Sequence, residues 1–393
     1  MNARPKILTL IGNYLPGSKA GGPLRTIANM VDHLSDELEF WIITRDRDLG
    51  DTSPYADIRP NRWQRVGGAM VHYLPPERCR ARAMAELIAS TEYDVMYLNS
   101  FFEPTFTIKP LLARRLGWLP DKPVVIAPRG EFSTGAIKIK YPKKYVYIQI
   151  ARLFRLYDKV IWQASSAYES QDIERVLHES PAAVHVATNL PGRVNSNARL
   201  DAAPPRTTGG AEVRIVFLSR ISPKKNLDYA LRVLRDVKAS VVFDIYGPAE
   251  DVDYWKRCTQ WIKRLPANVS VNYMGSVHSD LVASVFSRYD VFFFPTRGEN
   301  YGHVIAEALS VGTSVLLSDQ TPWRGLQPAG LGWDIPLDEP DRFVGVIDEL
   351  AATNQKMKDE RRIHIEHAMR ERLADPQACL ANRELFRRAM HSR

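Results

Sequence analysis

The sequence predicts an α/β protein of two doubly wound, Rossmann-like parallel-sheet domains facing each other across a cleft. Three observations lead there. Short apolar runs rich in β-branched and aromatic residues alternate with amphipathic stretches over nearly the whole chain. That series runs once and then begins again, and a stretch without apolar period lies between the two runs. The length of 393 residues agrees, because a single core stops growing at roughly 250–300 residues.

In chain order, the first half carries strand-like runs at "KILTLIG", "LEFWIIT", "DVMYLN", "PVVIAPR", "KVIWQAS" and "VHVATN". The second half repeats the pattern at "RIVFLSR", "VVFDIYG", "VSVNYMG", "VFFFP" and "SVLLS". Helical periodicity lies between them, for instance over 226–238, 279–287 and 302–311. Residues 193–212, "RVNSNARLDAAPPRTTGGAE", are rich in Pro, Gly, Asn and Thr and read as a linker. The expected division is 1–200 for an N-terminal domain and 213–375 for a C-terminal domain. A charged helix at 376–393 is expected to join the first. Ligands of open α/β sheets bind outside the carboxyl ends of the strands, so the motifs that matter should sit in the loops that follow them.

Composition narrows the class. The chain is 45% hydrophobic, 10% aromatic and 25% charged, which excludes collagen, coiled-coil rods and disordered chains. Cys79, Cys258 and Cys379 are far apart and show no metal-ligand or redox spacing, as expected in a reducing compartment. The N-terminal "MNARPKILTLIGNYLPG" reads as a first strand, and no apolar run reaches the ~18 residues of a membrane span. The expected localisation is cytoplasmic. Net charge is +8, and residues 129–159 hold eight basic and two acidic side chains. Nothing resembles a groove-reading module, so nucleic acid is not an expected partner.

The most informative stretch is "PTRGENYGHVIAEALSVG", 295–312. It follows "VFFFP", so "TRGEN" is a strand-to-helix loop and the helix start near Gly302 offers free backbone N–H groups to an anion. If every residue between were helical, Glu299 and Glu307 would stand roughly 12 Å apart, about the span from the hexose of a sugar nucleotide to its ribose. Carboxylates suit both ends because they accept hydrogen bonds from vicinal hydroxyls. The alternative is a cap-region charge and a solvated helix residue. In "VFLSRISPKKNLDYAL", 216–231, Arg220 and Lys225 fall in the loop after another strand, placed for a diphosphate or simply solvated; Lys224 is the more solvent-facing neighbour. In "GNYLPGSKAGGPLRTIANMV", 12–31, Pro23 suits a first helical position. Gly21 and Gly22 would let backbone approach a phosphate or sugar, unless they serve only a tight turn. Asn99 and Glu103 in "LNSFFEP" end a further strand, as acceptor-side residues or as strand-end packing and a cap.

Together these residues resemble the retaining GT-B glycosyltransferases of family 4 (glycosyl transferases group 1), polysaccharide-building type. The resemblance runs over nearly the whole chain and is most specific at Arg220, Lys225, "GENYGHVIAE" and "NYMGSV". It implies that Glu299 and the backbone of Asn300, Tyr301, Gly302 and His303 contact the donor sugar. It further implies that Glu307 binds ribose, that Arg220 and Lys225 bind the diphosphate, and that Gly275, Ser276 and Val277 lie near the base. Gly21 and Gly22 match a glycine pair facing donor phosphate and acceptor. Where many members have a histidine after the strand matched by "PVVIAPRG", this chain has Arg129, a "PRG" form that also occurs among polysaccharide-building members. Arg129 cannot act as a general base because its guanidinium stays protonated. It would hold an acceptor phosphate or the donor sugar, or form a structural salt bridge. His303 would touch the donor sugar, or be a helix-start histidine with no task.

The implied chemistry is hexose transfer from a UDP- or GDP-linked sugar to a saccharide or lipid-linked saccharide, with retention and without a metal. Asp46 and Asp48 in "ITRDRDLGD" follow a strand, as a metal pair would need, but two full doubly wound halves do not fit a metal-dependent class. The basic segment "STGAIKIKYPKKYVYIQIARLFRLYDK" interleaves cations with aliphatic and aromatic residues. It would sit on an anionic membrane surface at the inner face of the plasma membrane, or pack its apolar side on the first domain. The rival functions are a nucleotide-sugar epimerase or hydrolase of the same fold, and a non-catalytic sugar-nucleotide-binding protein.

Overall fold

A computed structural model describes residues 4–138, 141–178, 183–192 and 212–392. The expected linker at 193–212 lies outside the described residues apart from Glu212. The chain divides into two compact units, Met1–Arg193 with Pro376–Arg393, and Val194–Asp375.

The first unit is one sheet of β1 (Lys6–Leu10), β2 (Glu39–Arg45), β3 (Trp63–Val66), β4 (Ala69–Leu74), β5 (Val95–Asn99), β6 (Val124–Ala127), β7 (Val160–Ala164) and β8 (Val184–Val186). The spatial order is β3-β4-β2-β1-β5-β6-β7-β8. Successive residues of one strand serve opposite cores. Ile7 joins the face that buries Ile27, Met30 and Leu34 of the helix Gly22–Leu34, while Leu8 joins the face that buries Met84, Leu111, Ile148 and Ile173. This two-sided burial is why the strands read as continuous apolar runs rather than alternating ones. The helix Gln377–His391 packs on the same face as Gly22–Leu34, burying Leu385, Phe386 and Ala389. The ring of Phe386 meets Tyr97 edge-on at 5.3 Å.

One pairing departs from the all-parallel expectation. β3 runs antiparallel to β4, joined across Gly67 and Gly68. Gly67 has a φ of 57°, the left-handed backbone that a two-residue hairpin demands. Trp63 and His72 face each other across this pair, with ring centroids 5.2 Å apart.

The second unit is an all-parallel sheet of β9 (Glu212–Leu218), β10 (Ser240–Tyr246), β11 (Val269–Gly275), β12 (Val291–Phe294), β13 (Ser314–Ser318) and β14 (Gly332–Ile335). Its order is β11-β10-β9-β12-β13-β14, over one continuous core. Of the expected helices, 226–238 forms as Leu227–Leu234, 302–311 as His303–Ser310, and 279–287 shrinks to a short turn plus Val282–Phe286.

Candidate functional site

In the second unit the strand order reverses between β9 and β12: β10 and β11 lie beyond β9, and β13 and β14 lie beyond β12. Loops leaving two such neighbours diverge, and open α/β sheets bind ligands at this switch point. Here the two loops are 219–226 and 295–302, and side chains lock them together. Asn226, left-handed at φ 63°, donates its amide to the Pro295 carbonyl at 2.9 Å and accepts from Arg297 Nε at 3.0 Å. The Arg297 N–H donates to the Lys224 carbonyl at 2.8 Å. The backbone beside Lys224, which the sequence left facing solvent, therefore belongs to this lock.

Lys225 and Glu299 meet at the centre of it. Lys225 Nζ donates to Glu299 Oε1, each side chain is 13% exposed, and the ammonium sits 5.2 Å above the Phe294 ring. The motifs expected to hold a diphosphate and a sugar are thus paired with each other, as opposite charges at low exposure must be. Arg220 goes elsewhere: it is exposed, and its Nη1 reaches Glu250 Oε2, beyond β10, at 3.4 Å. The two cations of one loop are turned toward opposite sides of β9.

The run from Glu299 to Glu307 is not a helical rod. Its helix starts only at His303, and Gly302 before it is left-handed at φ 77°, where a Cβ would lie 2.7 Å from Ile305 Cδ1. Glu299 instead belongs to the loop, its amide donating to the Gln320 carbonyl at 3.0 Å. The separation of roughly 12 Å computed for eight helical residues therefore does not apply. Glu307 lies on the helix, half-buried. No side chain caps the helix start; the Ile305 N–H donates to the Gly302 carbonyl at 2.8 Å, and the helix start is the kind of backbone end that holds an anion.

Behind that helix start lies a cluster the sequence did not single out. Trp323 Nε1 donates to the Tyr301 carbonyl at 2.7 Å, and the Arg372 guanidinium stacks 4.5 Å over the Trp323 ring. His303 is buried against the Tyr301 ring, centroids 4.7 Å apart. Burial pushes the Tyr301 hydroxyl up to about 12, against the lowering pull of Arg372. The signal was available, since "DQTPW" follows strand "SVLLS" as "TRGEN" follows "VFFFP". At the end of β11, Gly275 has φ 72° and its carbonyl accepts from Gly247 N at 2.8 Å. Ser276 after it is exposed and Val277 packs partly on the core.

The first unit reverses its strand order between β1 and β5. Gly21, at φ 69°, precedes the helix Gly22–Leu34, and a Cβ on either Gly21 or Gly22 would meet nothing within 4 Å. Backbone geometry asks for glycine at 21; packing asks for it at neither. Asp48 anchors the approach to these glycines by accepting from the amides of Ser18 at 2.7 Å and Lys19 at 3.1 Å, while Asp46 pairs with Arg47 at 2.7 Å. The two aspartates are committed to separate structural tasks.

Asn99 ends β5 and Arg129, left-handed at φ 58°, follows β6. The Arg129 guanidinium donates to Asn99 Oδ1 from Nε at 3.1 Å and from Nη2 at 2.6 Å. It also reaches Asn189 Oδ1 at 2.7 Å and the Tyr97 hydroxyl at 2.6 Å. Among the described residues these partners are all neutral, so the salt bridge offered as its structural role is not what holds it. The Tyr97 hydroxyl donates on to Gln163, and Gln163 Nε2 donates to Asn382 Oδ1 of the C-terminal helix at 3.2 Å. Burial raises the Tyr97 hydroxyl above its ordinary range. Glu169 fixes the other side of "PRG", accepting from Gly130 N at 2.5 Å and Ser165 N at 2.8 Å. Glu103 caps the turn Pro104–Ile108 and pairs with Arg45 at 2.8 Å.

Comparison with known proteins bears on both units. Residues 206–364 match the model of the family described as glycosyl transferases group 1. An uncharacterized 41.2 kDa protein in the cps region of Klebsiella pneumoniae is 24% identical over 260 residues, 65% of this chain and 69% of that protein. HepE from Anabaena, solved in complex with UDP and glucose, is 16% identical with a TM-score of 0.61, covering 94% of this chain and 100% of that one. A trehalose-6-phosphate synthase, solved in a study of glycosyltransfer with retention, is 10% identical with a TM-score of 0.70, covering 97% of this chain and 99% of that one. At such identities the likeness to the solved structures is one of fold, the two-domain GT-B fold.

Proposed function

We propose that this chain, whose residues 206–364 match the family of glycosyl transferases group 1, transfers a hexose from a UDP- or GDP-linked sugar to a saccharide or lipid-linked saccharide, with retention. One observation carries the reading: Lys225 and Glu299 meet at the β9/β12 switch point, beside a helix start with no side-chain cap. A nucleoside diphosphate sugar offers each group a better partner. The diphosphate supplies charge for Lys225, Arg220 and the first amides of His303–Ser310, while sugar hydroxyls donate to Glu299 and the ribose to Glu307.

The chemistry follows from those charges. The acceptor hydroxyl attacks the anomeric carbon on the face that the diphosphate leaves. The bond from that carbon to the phosphate oxygen breaks, and the departing oxygen takes the acceptor proton. Cations and amides stabilise the leaving charge, so neither a protein base nor a metal is needed in this scheme. In the first unit Gly21, Gly22, Asn99 and Arg129 would serve the donor phosphate and the acceptor. Arg129 would act as an aligned cation with its neutral partners setting its angle. HepE binds UDP and glucose, the trehalose synthase was studied for retention, and the Klebsiella relative comes from a cps region. These support a sugar nucleotide, retention and a polysaccharide-building setting. Among the described residues no helix is long and apolar enough to cross a membrane; work on a lipid-linked acceptor would place the protein peripherally at the inner face of the plasma membrane.

The test is turnover. Purified protein with labelled UDP- and GDP-sugars and saccharide acceptors should yield a glycoside whose anomeric configuration, read by NMR, matches the donor. Free sugar or an epimer as sole product would establish the hydrolase or epimerase, and tight donor binding without product would establish the non-catalytic protein.

A further inference from the structure

The helix Tyr141–Leu153 has an apolar side that the fold uses and a second one that it does not. Ile148 and Ala151 are buried in the first unit's core. On the opposite side Val146, Ile150 and Leu153, with Tyr145 and Phe154 on the flanks, are 49–78% exposed. At 100° per residue Val146, Ile150 and Leu153 fall within about 60° of one another and face outward, with Gln149 and Lys143 bordering them and Tyr145 and Phe154 one on each flank. Arg115 donates to the Phe154 carbonyl at 3.2 Å, which brings the end of the helix Lys109–Arg115 alongside, together with exposed Leu116 and Trp118. An ordinary amphipathic helix packed on its domain would show water a polar back. This one shows water three large aliphatic side chains with an aromatic ring on each flank, a surface that soluble proteins rarely leave uncovered.

Charge identifies what covers it. Lys138, Lys143, Arg155 and Lys159 are exposed around the row, and from 138 to 159 the sequence contains seven basic residues against the single acid Asp158, which Arg155 pairs at 2.6 Å. A cationic rim around aliphatic and Tyr/Trp side chains matches an anionic lipid interface, where acyl chains take the apolar tips, aromatic rings sit at headgroup level and phosphates meet the cations. A second copy of this chain would bring an equal positive charge against the first. We infer that Tyr145, Val146, Ile150, Leu153 and Phe154 form a docking face that inserts shallowly into an anionic membrane. This deepens the reading of a lipid-linked acceptor and rests on it, while the geometry of the face stands on the exposed row alone.

The test is co-sedimentation of the full chain with phosphatidylcholine–phosphatidylglycerol vesicles and with phosphatidylcholine vesicles. The wild type should bind the anionic vesicles and lose binding at high salt. Ile150→Ser with Leu153→Ser should weaken binding by about tenfold or more, because two large apolar tips no longer enter the acyl region. Lys138→Gln with Lys143→Gln should weaken it by several-fold and blunt the salt dependence. All four positions are exposed, so melting curves should be unchanged. Absence of wild-type binding to anionic vesicles overturns the inference. So does concentration-dependent dimerisation abolished by the Ser variants without any lipid binding, which would make a second copy the occupant. Transfer to a water-soluble acceptor is assayed in parallel: its survival in variants that no longer bind vesicles confirms docking as a separate function, and its absence in the wild type condemns the enzymatic reading alone.

Discussion

Glu299→Ala tests the candidate site through stability and activity at once. The substitution strands the Lys225 ammonium, 13% exposed, over the Phe294 ring without its carboxylate. Removing one partner of a fully buried pair costs about 3–5 kcal/mol. With some water still reaching both groups, about 2 kcal/mol is expected. For a unit the size of Val194–Asp375, that lowers Tm by about 4–8 °C. Glu299→Gln keeps the shape and one acceptor, so its stability cost should stay below about 1 kcal/mol. Transfer should nonetheless fall by about 100-fold or more, since a neutral amide cannot replace a carboxylate at developing positive charge on the sugar. The double variant Lys225→Met with Glu299→Leu should recover stability over Glu299→Ala, with a coupling energy of about 1.5 kcal/mol in the cycle. Scanning calorimetry reads the stability arm, on the transition that added UDP- or GDP-sugar moves upward. Unchanged Tm with full transfer in Glu299→Ala would refute the reasoning. Additivity of the two single changes within about 0.5 kcal/mol would show that the pair is geometric only.

Three further outcomes follow from the geometry. Gly302→Ala forces a left-handed φ and a clash with Ile305 on a β-carbon, so it should destabilise by about 1–2 kcal/mol and weaken donor binding in calorimetric titration. Arg129→Lys cannot span Asn99, Asn189 and Tyr97 at once; kcat/KM should fall by about 10–100-fold, and undiminished turnover would leave Arg129 a purely structural group. Burial lowers the His72 imidazole below its ordinary value of 6.5, so the unfolded chain takes up the proton first as pH falls past that value. First-unit stability is then lost on acidification, and His72→Phe should flatten the Tm difference between about pH 7.5 and about pH 5.5.

The strands that position the site were legible because both of their faces are covered. Two-sided burial writes a run such as "VFFF" or "SVLLS" into the sequence without help from distant residues. β3 and β4 were not read, because an edge hairpin mixes exposed and buried positions and its cue is only the "GG" turn. The loop residues Lys225 and Glu299 were also legible, since strand-end position and charge type are local facts. Their mutual pairing was not, because it depends on β9 and β12 being neighbours, and no spacing within either segment encodes that adjacency. The all-helical separation between Glu299 and Glu307 does not hold for a local reason: a glycine immediately before a helix readily adopts the left-handed turn that ends the rod.

Arg129 shows the same limit from the other side. Its fork is aimed by Asn99, Asn189 and Tyr97; Tyr97 donates in turn to Gln163, and Gln163 to Asn382, more than two hundred residues further along the chain. Asn382 precedes Leu385, Phe386 and Ala389 on one helical stripe and is fully buried. A lone amide on an apolar stripe is costly unless its hydrogen bonds are met, and here they are met by Gln163, Thr188 and Ala378. That cost is the signal the sequence did contain: an asparagine where an aliphatic residue would pack better marks a helix that has a register to keep. The C-terminal helix therefore does more than cover the sheet. By fixing Gln163 it sets the donor direction of Tyr97, and through Tyr97 the angle of a cation whose partners are otherwise neutral.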